Sequence, residues 1–247
     1  IWFLSAIMRY IPGNIWQPLS MTVQAQQRGV RVEATLTSVA LYQAIILLAV
    51  APIAGVYLLS TGNLGLLTDL LGALTPLLAL LALVPVLVLL IRPQLLTAAI
   101  NWALRKVGRD SLETELTSGR LLALLLVAAF DWLLWGGSFA ALTFGLSEFS
   151  QAEMMALAPH LIASYSIAYA IGFISFITPS GFGVREGAFY LLLAPILGGG
   201  VITVAALAMR LWTTVGELIM AGMSLLLVPA PAKAGTGAAV EALAEER

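Results

Sequence analysis

Two long stretches without a charged residue limit the folds open to this chain. Residues 34–68 and 70–91 contain no Asp, Glu, Lys or Arg. Each is long enough for an α-helix to cross the hydrocarbon core of a bilayer, which takes about 20 residues. Only 10% of the chain is charged and 60% is hydrophobic, whereas a soluble domain carries about 25% charged residues. Together these features predict an all-α fold, a polytopic integral membrane helical bundle.

The residue inventory excludes several classes of function. The chain has 12 Lys and Arg against 13 Asp and Glu, and the basic residues are scattered, so it has no nucleic-acid footprint. It contains no cysteine, which excludes disulfides, thiol catalysis and thiolate metal sites. Neither a Ser-His-Asp set nor a phosphate-binding loop can be assembled. We therefore expect no metal and no cofactor, and an enzyme is poorly supported.

The basic residues predict the membrane topology. Lys and Arg number three in residues 1–32, none in 60–69, five in 92–120 and none in 147–156. Because cytoplasmic connections carry the excess of these residues, this alternation places 92–120, the longest polar connection, in the cytoplasm. The predicted apolar spans cover about 36–59, 70–91, 121–146, 161–177 and 201–228.

The domain limits follow from the same pattern. Residues 1–228 are expected to form one membrane domain, and the tail 229–247, rich in Ala, Gly and Glu, is expected to be disordered. Since Ile1 lies inside an apolar run, we expect the natural N-terminus to precede it.

One polar stretch interrupts the apolar pattern where a membrane helix would otherwise continue. Thr178 to Gly187 contains a proline and three glycines, which disfavour a regular helix. The backbone groups freed by such a break can be satisfied in a membrane only by protein or trapped water. The next run, 188–197, is too short to cross and is predicted to be re-entrant. A broken helix bearing Arg185 and Glu186 is typical of a transporter substrate site, whereas a polar loop at the membrane surface fits the same residues.

Three further ionisable residues lie well inside predicted spans. They are Asp131, Arg210 and Glu217, and each costs roughly 2.5–3.5 kcal/mol at a helix centre on insertion scales. Two interpretations stay open. The first is a helix–helix interface sealed by ion pairs, for example between Asp131 and Arg210. The second is a polar cavity lined by the third, fourth and last spans and facing the break.

Two motifs resemble those of a known family. Pro179-Ser180-Gly181-Phe182-Gly183-Val184-Arg185-Glu186-Gly187 resembles the PGGxGVRE-type signature of the flippase-like transmembrane domain family, which includes the membrane region of lysylphosphatidylglycerol synthases. The segment Arg9 to Trp16 is similar to the family's upstream Pro-Gly motif through Arg9, Pro12, Gly13 and Asn14. Arg210 lies where the family tends to carry a late arginine. Ser180 replaces the second residue of the usual Pro-Gly-Gly, and Asn14 lies where many members carry charge.

The resemblance implies translocation of a lipid between leaflets of a prokaryotic cytoplasmic membrane. The expected cargo is an anionic phospholipid or a polyprenyl-linked intermediate, and a glycosyl- or aminoacyltransferase is an expected partner. Arg185 and Arg210 would hold the headgroup, and Glu186, Glu217 and Asp131 would orient the arginines. A membrane scaffold without transport, and an intramembrane enzyme with Asp131 or Glu186 as base, are the alternatives.

Overall fold

A computed structural model describes residues 1–11, 15–61, 74–111, 115–175 and 178–227, and within these ranges the chain is helical and contains no β-strand. The first half holds α1 (Trp2–Ala6), α2 (Trp16–Gln26), α3 (Val32–Leu48), α4 (Val50–Thr61), α5 (Thr75–Ile91) and α6 (Gln94–Lys106). The second half holds α7 (Ser118–Phe144), α8 (Gln151–Ile174), α9 (Val184–Leu197) and α10 (Gly199–Leu227). Two short 3₁₀ turns, Ile7–Tyr10 and Pro179–Gly181, follow α1 and precede α9.

Four helical segments are long and apolar enough to cross a membrane. They are Val32–Leu59, Ser118–Phe144, Gln151–Ile174 and Gly199–Leu226. A further pair, Leu80–Ile91 and Gln94–Lys106, is bent by 90° and would make a fifth span if counted as one. Among the described residues this confirms the predicted all-α bundle and indicates a multi-pass membrane protein.

Two predicted polar connections contain helices that the apolar pattern did not indicate. α2 occupies much of the region before Glu33, and α6 occupies half of the 92–120 connection. The prediction that the fourth span begins near Leu161 is also wrong, because α8 begins at Gln151. Its start is fixed by a capping box, in which Ser150 and Glu153 each satisfy the other's backbone N–H.

Pro12, Gly13, Asn14 and the predicted disordered tail 229–247 lie outside the described residues.

Close packing of α7, α8 and α9 builds the frame of the site. Phe139 on α7 stacks on Phe189 of α9 with ring centroids 4.6 Å apart, and both side chains are almost completely buried. The indole Nε1 of Trp132 donates a hydrogen bond to the Ile46 carbonyl at 2.9 Å, which ties α7 to α3. At Gly136, α7 approaches α8 so closely that an added Cβ would lie 2.7 Å from the backbone of Ile162.

We expect Gly136→Ala to destabilise the protein by about 1–3 kcal/mol, the usual cost of overpacking a close contact. The new methyl group would meet backbone atoms of Ile162, which cannot rotate away. Gly137→Ala is the matched control, because a Cβ there has no neighbour within 4 Å. Thermal unfolding in detergent should show a lower midpoint for the first variant alone; equal midpoints would contradict this packing.

Candidate functional site

The predicted break lies between the end of α8 at Ile174 and the start of α9 at Val184. Ser180 has a φ of 52°, which a non-glycine residue rarely adopts. Gly181, with a φ of 68°, lies so near Gly172 on α8 that a Cβ would come within 3.0 Å of the Gly172 carbonyl oxygen. Only glycine fits both the backbone angle and the space at this position. The segment therefore lies directly against α8.

Glu186 holds this segment from two sides. Its Oε2 accepts a hydrogen bond from the Gly183 N–H at 2.7 Å, which caps the first turn of α9. Its Oε1 forms a salt bridge with Arg210 of α10. A second nitrogen of Arg210 lies 3.5 Å from the Ser180 carbonyl oxygen, and the guanidinium carbon lies 4.7 Å from the centre of the Phe182 ring. Arg210 therefore points toward the break, and the suggested ion pair between Arg210 and Asp131 is wrong.

A second salt bridge joins the N-terminal region to α10. Arg9 lies 2.9 Å from Glu217 Oε1, and the Tyr10 hydroxyl donates to Glu217 Oε2 at 3.0 Å. The same hydroxyl lies 3.0 Å from Thr214 Oγ1. Burial raises the pKa of the Tyr10 phenol, so the hydroxyl stays protonated as a donor at neutral pH. The other members of this motif, Pro12 to Asn14, lie outside the described residues.

Arg185 differs from these two arginines because no carboxylate of the described residues forms a salt bridge with it. Its guanidinium carbon lies 4.6 Å from the centre of the Tyr165 ring and 5.7 Å from those of Tyr169 and Phe189. Its buried Nε has no hydrogen-bond partner within the described part of the chain. The aromatic rings favour the cation by cation–π attraction, and they leave the Nε–H donor without a hydrogen-bond acceptor among the described residues.

The described residues line a partly open cavity of about 950 Å³, and these groups share it. Seven of the predicted site residues line it: Arg9, Asp131, Ser180, Gly181, Arg185, Arg210 and Glu217. Pro179, Gly183 and Glu186 belong to the segment that forms its wall. Asp131 forms no salt bridge with any described residue and also lines a smaller cavity of about 350 Å³ beside Trp135 and Ser138.

Two polar residues of α10 do not contribute to the cavity. Thr203 and Ser224, which share the seven-residue spacing of α10 with Arg210 and Glu217, donate their hydroxyls to carbonyls of their own helix. The cavity lining also includes aromatic residues that the charge pattern did not indicate, among them Trp2, Tyr10, Tyr42 and Trp132. Only Tyr10 had a sequence signal, its position beside Arg9 at the start of a motif.

Comparisons with known proteins add no assignment. No family model, no curated protein and no solved structure matches this chain. The resemblance to the flippase-like family therefore stays a prediction. Within the described residues, no group of three or more His, Cys, Asp or Glu side chains is placed to hold a metal ion.

We expect Glu186→Ala to cost roughly 2–4 kcal/mol, because it removes a helix cap and leaves the partly buried Arg210 charge without its partner. Glu186→Gln keeps an acceptor for the Gly183 N–H and should cost less. Glu148→Ala, at an exposed position, is the control and should change stability by no more than about 0.5 kcal/mol. Denaturant unfolding in detergent measures all three; equal stability of the two Glu186 variants would contradict the capping role.

Proposed function

We propose that this protein moves a lipid with an anionic headgroup across the membrane, and that Arg185 binds the headgroup within the cavity. The observation that carries the proposal is a guanidinium held over aromatic rings in a cavity wall, without a carboxylate partner among the described residues. An anion that enters the cavity would stabilise this cation strongly, because no carboxylate of the described residues is paired with it.

The chemistry of the guanidinium favours a phosphate group. Arginine presents its N–H donors as a planar fork that matches two phosphate oxygens at once. Arg185 also lies in the first turn of α9, where the free backbone N–H groups and the helix dipole favour negative charge. Phosphate is the feature shared by anionic phospholipids and polyprenyl-linked intermediates, so this site accommodates either class.

The size and lining of the cavity support a lipid as cargo. Its volume of about 950 Å³ lies at the upper end of the usual range for ligand pockets, about 300–1,000 Å³. Aromatic and aliphatic side chains form much of its wall, while the acyl chains of a bound lipid stay in the surrounding hydrocarbon. We propose that the segment 178–197 is re-entrant, since α9 has 14 residues and a membrane span needs about 20.

The remaining parts of the proposal rest on the sequence. No ATP-binding motif is visible, so transport is passive, ion-coupled or driven by a partner. A prokaryotic cytoplasmic membrane as the location, and a glycosyl- or aminoacyltransferase as the partner, follow from the family resemblance alone.

The two alternatives fit the geometry less well. A scaffold without transport predicts fully paired charges and no cavity, whereas Arg185 and Asp131 line a cavity and form no salt bridge with described residues. An enzyme using Glu186 as a base is disfavoured, because that carboxylate already binds Arg210 and the Gly183 N–H. Asp131 is the carboxylate that an intramembrane enzyme would have to use.

We expect Arg185→Ala to lower the rate of anionic-lipid scrambling in reconstituted vesicles by about ten- to a hundredfold. This corresponds to the loss of charge-assisted hydrogen bonds worth about 1.5–3 kcal/mol. Arg185→Lys should retain part of the rate, because it keeps the charge and loses the fork. Fluorescent phosphatidylglycerol with a dithionite readout measures the rate.

Arg120→Ala is the matched control, since Arg120 is exposed and its guanidinium donates to the carbonyl of Glu115. Its backbone N–H, which donates to Thr117 Oγ1, is unchanged by the substitution. It should scramble at the rate of the unaltered protein. Arg210→Ala should also lower the rate of lipid scrambling, because it removes the salt bridge with Glu186 that holds the break. An unchanged rate in a folded Arg185→Ala protein would reject the proposed function.

A further inference from the structure

Helix α6 leaves the preceding apolar helix at a right angle. The bend between Leu80–Ile91 and Gln94–Lys106 is 90° and falls at Arg92 and Pro93. α6 has 13 residues, a length of about 20 Å at 1.5 Å per residue, against about 30 Å for the hydrocarbon core. If α5 runs across the bilayer, a perpendicular helix of this length lies along the surface of the membrane.

The residues of α6 divide into three sides. Leu96, Ile100 and Leu104, spaced four apart, are buried against the protein. A polar side carries these four residues: Gln94, Thr97, Asn101 and Arg105. An apolar side carries Leu95, Ala98 and Trp102, with Leu95 51% and Trp102 57% exposed. A helix with one packed, one polar and one exposed apolar side suits the boundary between water and lipid.

The charges around α6 are those that favour an anionic surface. Arg105 and Lys106 end the helix, and Arg92 precedes its first turn. Arg109, which follows the helix closely, is paired with Glu33 at 3.5 Å. The ammonium of Lys106 lies 5.1 Å from the centre of the Trp102 ring. An aromatic ring that anchors in the interface beside a cation that extends to the headgroups is a common membrane-surface pair.

We propose that α6 lies in the plane of the membrane–water interface and that its basic end binds the headgroups of anionic lipids in that leaflet. The partner is the lipid surface rather than a soluble protein, because α6 continues directly from an apolar helix at a right angle. The basic residues match the negative charge of a leaflet rich in anionic lipid. Ala99 and Ala103 of α6, and Val107 directly after it, also line the cavity, so such lipids would gather beside it. This inference does not depend on lipid translocation.

The absence of cysteine from the chain allows a direct test with single spin labels. Leu95→Cys, Ala98→Cys and Trp102→Cys report on the apolar side, and Gln94→Cys and Thr97→Cys report on the polar side. The full chain is reconstituted in phosphatidylcholine vesicles with and without phosphatidylglycerol. Collision rates with oxygen and with a water-soluble nickel chelate then give the depth of each label.

We expect the three apolar-side labels at one common depth, about 5–10 Å into the headgroup boundary, with both polar-side labels accessible to the chelate. A depth that increases steadily from position 95 to position 102 would overturn the proposal in favour of a membrane span. Chelate access on both sides would overturn it in favour of a protein partner. Three labels report on the apolar side, so the loss of one variant to misfolding leaves the test intact.

Binding of anionic headgroups by the basic end of α6 has a separate test. Phosphatidylglycerol should move the Ala98→Cys label deeper, and the added changes Arg105→Gln and Lys106→Gln should abolish that shift. Arg28→Gln is the matched control, because Arg28 is an exposed arginine outside α6, and it should keep the shift. A label depth that does not respond to phosphatidylglycerol, or responds equally in the Arg105/Lys106 variant, would overturn headgroup binding.

Discussion

The site depends on one carboxylate that satisfies two groups at once. Where the chain leaves helical geometry between α8 and α9, backbone N–H and C=O groups lose their regular helical partners and need others. Glu186 accepts the Gly183 N–H and binds Arg210, which in turn lies near the Ser180 carbonyl. The break is therefore held by contacts from α10. This arrangement fixes the direction of the neighbouring side chain, Arg185.

The arginines of the cavity divide into two kinds. Arg9 pairs with Glu217 of α10, and this salt bridge connects α10 to the N-terminal turn. Arg210 of α10 pairs with Glu186, and this second salt bridge connects α10 to the break. Glu217 and Arg210 are seven residues apart, so both contacts lie along one face of α10. Arg185 instead lies over aromatic rings. The paired arginines hold the cavity walls together, whereas Arg185 places a positive charge in the wall without a salt bridge to a described carboxylate.

Sequence reasoning predicted the long apolar helices and several residues that line the cavity, but it missed α2, α6 and the pairing of charges around the cavity. Apolar runs are a local property, so they indicated the spans directly, and the glycines and proline near Gly181 indicated the break. The choice of Glu186 over Asp131 as partner of Arg210 depends on how α9 and α10 pack, which no local pattern encodes. The aromatic rings around Arg185 belong to two helices, α8 and α9, so no local pattern could predict this cluster either. The capping pair of Ser150 and Glu153 indicates the observed start of α8. The apolar run that begins at Leu161 predicted a later start.

The most direct measurement of the central claim is lipid retention by the intact protein. Native mass spectrometry after release from nanodiscs containing equal amounts of phosphatidylglycerol and phosphatidylcholine reports which lipid stays bound. The account predicts that one phosphatidylglycerol is preferentially retained, and that Arg185→Gln removes this preference while the mass of the folded protein is otherwise unchanged. Equal retention of the two lipids, or an undiminished preference in the Arg185→Gln protein, would contradict the claim that this guanidinium binds an anionic headgroup.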